Sequence, residues 1–159
     1  MENTQSPIVI IDDEALEHAL EPLTTDEQGQ ARREALLTTV RYFTRIINLP
    51  DRGTGFPRWP MSRARLIDLA WNLYQLHCLR SAETGELLTM RRIAELLCEK
   101  LHRPMPKDPY HTAWACRRKG RTIIDHFVQI LQHGFHLNAL IDWSEPLQFP
   151  YFTSYRGVF

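Results

Sequence analysis

Between Ser62 and Leu76 the polar residues Arg65, Asp68, Asn72 and Gln75 step by three, four and three positions, while Leu66, Ile67, Leu69, Ala70, Trp71, Leu73, Tyr74 and Leu76 fill the space between them. This spacing predicts a helix with one narrow wet stripe and apolar surface on every other side. Such a helix has to be covered by several neighbours, so it is expected to organise the core. A chain of 159 residues, 43% of them hydrophobic, has the material for one compact domain, or for one domain with an appended helical segment.

Two loops punctuate the chain. Leu49 to Pro60 is dense in Pro and Gly and continues neither a helix nor a strand, which makes it the best boundary. His102 to Lys107, with Pro104 and Pro106, reads as a turn. The expected organisation is therefore a helical segment over 1–49, a second unit over 58–134 and an aromatic tail over 135–159. In the first segment Leu36, Leu37, Val40, Phe43, Ile46 and Ile47 repeat at helical spacing, and a weaker acidic helix is expected over Asp12 to Leu20. Gly85 to Leu88 suits a short strand or a turn. Thr89 caps a helix running to about Leu101, with Met90, Ile93, Ala94, Leu97 and Leu101 on one face. Asp108 as N-cap, Pro109 at the first helical position and Gly120 as the stop delimit the next helix. The last begins after Thr122, turns Ile123, Ile124, Phe127, Val128 and Leu131 inward, and ends at Gly134.

Lys and Arg number 19, as do Asp and Glu, yet the charges are segregated. Met1 to Glu34 carries nine acids against Arg32 and Arg33, whereas Arg91 to Arg121 carries nine bases against Glu95, Glu99 and Asp108. The second half suits a polyanion, and the acidic leader suits covering that basic surface or holding a second copy. The leader has no positive charge ahead of an apolar run, Ile8 to Ile11 is too short for a signal, and no stretch is long enough to span a membrane. A cytoplasmic location without membrane contact is expected, with Cys78, Cys98 and Cys116 as reduced thiols.

The helices opening at Ser62, Thr89 and Asp108 have the order of a helix-turn-helix unit, in which the later helix enters the major groove. The link from Leu101 to Asp108 exceeds the usual tight turn, so the unit is a loose variant. In the recognition helix Tyr110, Ala113, Trp114 and Arg117 share the inward face, leaving His111, Thr112, Ala115, Arg118 and Lys119 toward solvent. The DNA-binding set is then Ser62, Arg63, Arg91, Arg92, His111, Thr112, Arg117, Arg118, Lys119, Arg121 and Thr122. Arg91, Arg92 and Arg121 clamp phosphate, Ser62, Arg63 and Thr122 add contacts near helix starts, and Arg118 and Lys119 reach phosphates or guanine edges. Trp59, Trp71 and Trp114 read as core aromatics. Cys98, His102, His111 and Cys116 follow no zinc spacing, and His133 and His136 suit a helix end better than a ligand pair, so no metal and no cofactor are expected. No nucleophile elbow or phosphate-cradling loop is present, and Arg52 to Gly55 lacks the preceding strand that a phosphate loop needs, so no catalytic residue and no enzyme activity are expected.

From Arg58 to Leu131 the order of residues resembles the C-terminal domain of the RteC proteins, regulators associated with Bacteroides conjugative transposons. The likeness is carried by Trp59 ahead of Ser62, Arg63 and Arg65 leading into Leu66-Ile67-Asp68-Leu69 with Tyr74 beyond, Arg92-Ile93-Ala94 in the next helix, Tyr110 before Arg117-Arg118-Lys119, and Arg121-Thr122 opening another helix. The resemblance implies a mainly α, winged-helix or helix-turn-helix-like domain with an N-terminal helical extension, binding double-stranded DNA to regulate transcription in a mobile element. No Gly-rich hairpin follows the recognition helix, so a wing is either absent or supplied by the tail. The alternatives are a protein-interaction module, holding a second copy or another regulatory protein, and an accessory protein of DNA processing.

Overall fold

The computed structural model describes residues 6–51, 53–120 and 122–143. These residues form a mainly helical fold: β1 (Val9–Ile11), α1 (Asp13–Leu20), α2 (Glu27–Ile47), α3 (Arg63–Gln75), β2 (Leu79–Ser81), α4 (Met90–Lys100), α5 (Pro109–Arg118), α6 (Ile123–Gln132) and a closing 3-10 turn, Leu137–Leu140. The expected helices all occur, and α2 begins some two turns earlier than its apolar repeat indicated.

Side-chain caps set where each helix starts. The side chains of Asp12, Asp26, Ser62, Thr89, Asp108 and Thr122 each accept a backbone N–H three residues on, satisfying a donor that the helix itself leaves open. At Thr122 the cap is reciprocal, with Asp125 reaching back to the cap backbone. Gly120 (φ +78°) and Gly134 (φ +83°) take up the left-handed turn that ends α5 and α6. The same duty falls on His77 (φ 52°) and His102 (φ 57°) after α3 and α4, where no glycine signals the stop.

The core is one cluster. Phe43 of α2 stacks on Phe127 of α6 with ring centres 6.0 Å apart and meets the fully buried Trp59 edge-on at 6.2 Å. Leu66, Ile67, Leu69, Ala70 and Leu73 of α3 fill the same cluster, which explains why that helix is apolar on nearly every side. α3 packs most extensively on α4 and α5, while α2 packs on α6. The stretches on either side of the Leu49–Pro60 loop therefore share their apolar interior. The stripe expected to be wet is half covered: Gln75 is exposed, but Asp68 is only 1% accessible. Its Oδ2 accepts the Ile123 N–H at 2.8 Å, tying α3 to the first turn of α6.

Two short strands were not foreseen. β1 and β2 pair antiparallel, Val9 opposite Ser81 and Ile11 opposite Leu79. On the other edge of β1 the Asn48 side chain completes the pairing: its Oδ1 accepts from Ile8 and Val9 N–H, and its Nδ2 donates to Val9 C=O. The turn lies over residues 82–84, and the Gly85 to Leu88 segment after it returns alongside β2, with Leu87 bridging Arg80 and Leu88 N–H donating to the Leu79 carbonyl. After α5 the chain goes directly into α6, and no strand follows α5 among the described residues.

Candidate nucleic-acid interface

α5 lies across α3 by a face of small side chains. Ala113 is fully buried, Pro109 is buried, and Cys116 Sγ approaches the Ala64 carbonyl oxygen at 3.4 Å. Small residues permit this close approach, and the bulky ones are turned outward. Tyr110 is 47% and Trp114 45% exposed, which corrects the expectation that both lie on the inward face and that Trp114 is a core aromatic. Trp59 is a core residue, and Trp71 is half-buried.

The basic residues of α5 divide between packing and surface. Arg117 folds back over the Trp71 ring, its guanidinium carbon 3.8 Å from the ring centre, with Nη1 buried. Burial pushes the Asp68 carboxyl above its ordinary range, against the Ile123 N–H, Arg65 and Arg117, which favour its charge. Arg117 is thus a structural residue between α3 and α5. Arg118 and Lys119 are exposed, and Arg118 sits over the Trp114 ring with its guanidinium carbon 4.8 Å from the centre. His111, also exposed, places its ring 5.6 Å from that of Trp114. Thr112 is half-buried, and its hydroxyl donates to the Asp108 carbonyl.

The remaining expected contacts come from neighbouring elements. Arg91 and Arg92 are exposed in the first turn of α4, where Arg92 pairs with Glu95 at 3.3 Å. Arg63 is exposed at the start of α3, beside Ser62, whose hydroxyl is engaged with the Arg65 N–H. Thr122 is occupied in the α6 capping box. Arg121 lies outside the described residues, as does the tail beyond Trp143. Two ion pairs tie acids to arginines away from α5: Asp125 of α6 with Arg32 of α2 at 2.9 Å, and Asp12 with Arg80 at 3.0 Å. The acidic leader packs chiefly through α2 on α6 and α4, whereas α5 packs on α3 and to a lesser extent on α4.

The residues weighed as metal ligands serve other ends. Cys98 is buried and its thiol is pushed up to about 11 by desolvation, His102 Nδ1 lies 2.7 Å from the Pro57 carbonyl oxygen, and no group of three potential ligands occurs among the described residues. No helix among those residues is long and apolar enough to cross a membrane. Comparison of the chain with protein-family models, with curated proteins and with solved structures gives no match, and the chemistry of the α5 surface is what bears on function.

Proposed function

We propose that the chain is a cytoplasmic DNA-binding regulator that lays α5 in the major groove of duplex DNA, with α3 and α4 as the supporting helices of a helix-turn-helix unit. The observation that carries this reading is the outer face of α5, where Arg118 and Lys119 stand exposed beside His111, Tyr110 and Trp114. Arg91 and Arg92 at the start of α4 add cations suited to phosphate. α6 takes the place in the chain that a wing has in a winged helix. The resemblance to the RteC regulators supports a role in transcription of a mobile element.

The test is binding of the full chain to duplex DNA across a salt series, beside the double variant Arg118→Ala, Lys119→Ala. The wild type is expected to lose affinity steeply with salt, and the variant to bind more weakly with a slope shallower by about two. Failure of the folded wild type to bind at low salt would move the reading to a protein partner. That second reading is favoured by the exposure of Tyr110 and Trp114, residue types that anchor protein interfaces.

A further inference from the structure

The outer face of α5 combines two properties seldom placed within one helix width. Tyr110 and Trp114 stand one turn apart and are each nearly half exposed, forming an aromatic ridge. Between Lys107 and Lys119 the one carboxylate is Asp108, and its Oδ1 is engaged with the His111 N–H as the helix cap. Lys107, Arg118 and Lys119 are exposed around the ridge. The surface therefore fits a partner that is anionic overall yet offers apolar groups between its charges.

The ridge is also stiffened. His111 lies one turn before Trp114 and Arg118 one turn after it, with the His111 ring centre at 5.6 Å and the Arg118 guanidinium carbon at 4.8 Å. Neighbours at those offsets flank a helical side chain on opposite sides along the axis. The Arg118 guanidinium lies over the indole ring, and the His111 ring stands beside it with the two planes tilted by 33°, so the half-exposed Trp114 has one face already occupied. A free aromatic face suits stacking on an unpaired base. A half-exposed ring beside the Arg118 and Lys119 cations suits the floor of a major groove, where the C5-methyl of thymine is the apolar group that lies among phosphates.

We infer that the Tyr110–Trp114 ridge recognises pyrimidine C5-methyl groups in the major groove, so that the chain prefers methyl-rich duplex DNA. The inference rests on the proposed insertion of α5 into duplex DNA. Four polymers isolate the methyl group: alternating poly(dA-dT) against poly(dA-dU), and alternating poly(dG-dC) against its 5-methylcytosine form. Binding of the full chain at fixed salt is expected to be about fourfold tighter to the methylated member of each pair for one buried methyl, from the usual worth of a buried carbon. Trp114→Ala is expected to abolish the difference within each pair while leaving the salt slope in place, and Trp114→Phe to keep part of it; thermal unfolding of both variants checks that the fold is intact.

Equal affinity within the pairs would overturn the inference, and so would a methyl preference that survives Trp114→Ala. Tighter binding to single strands than to duplexes would overturn it in favour of stacking. Preferred binding to vesicles of anionic lipid over any duplex would replace DNA as the occupant. Binding to none of the four polymers would sink the DNA reading itself, whereas equal binding within each pair sinks only the methyl preference.

Discussion

Asp68 holds two helices together from a position almost closed to water. Truncation of Asp68 to Ala strands the buried Ile123 N–H, which lies 2.8 Å from its carboxylate. A loss of about 2–3 kcal/mol in denaturant unfolding is expected for that variant. Asp68→Asn keeps an acceptor and should lose less. Because burial raises the carboxyl above its ordinary value in the folded chain, folding favours its protonated form. Its contribution is full below the ordinary carboxylate range and is lost as pH rises through the folded value, so Asp68→Asn should flatten the decline in stability across mildly acid pH. The two neighbouring arginines of α5 separate in the same assay. Arg117→Ala removes the guanidinium from the Trp71 ring and should cost about 1–2 kcal/mol. Arg118→Ala should stay within about 0.5 kcal/mol of wild type and show its effect in DNA affinity instead.

Glycine decides two boundaries at the scale of elements. In the first turn of α2, a Cβ on Gly29 would run into the Thr24 carbonyl and hydroxyl oxygens, while its N–H is already held by Asp26. Gly29→Ala should destabilise the fold by about 1–3 kcal/mol, read as a lowered thermal midpoint. Gly120 sits at φ +78° with open space where a side-chain carbon would stand, so Gly120→Ala costs only backbone strain, about 1–2 kcal/mol. These elements also show what sequence makes legible. α5 carries Asp108, Pro109 and Gly120, and its limits follow from local chemistry. The opening of α2, Glu27 to Glu34, carries Ala31 as its one apolar side chain, so no repeat announces it; it is held by the Asp26 cap and by Arg33, which donates to the Leu20 and Leu23 carbonyls. The stops at His77 and His102 depend on tertiary support, such as the Pro57 carbonyl against His102, which neighbours in sequence do not reveal. At the candidate site, Arg118 and Lys119 were legible as surface cations. Tyr110 and Trp114 were not, because hydrophobicity counts a ring as core, whereas the close contact with α3 admits Ala113 and excludes an indole.

Across the whole molecule, the leader and the half that carries α5 meet in one interior and at one small sheet. β2 leads into the turn ahead of α4, and β1 is held between β2 and the Asn48 side chain. Asn48→Ala should raise hydrogen-exchange rates at Val9 to Ile11 and at Leu79 to Ser81 well before global unfolding, with α5 little changed. An unchanged exchange pattern would show that the strands hold without the side chain. The pairing of Val9 with Ser81 also bears on the order of assembly. Strand β1 leaves the ribosome long before its partner exists, and Phe43 must wait for Phe127. Local helices can form as they emerge, but the contacts that seal them join distant parts of the chain, so closure comes late and the apolar side of α2 stays uncovered during synthesis.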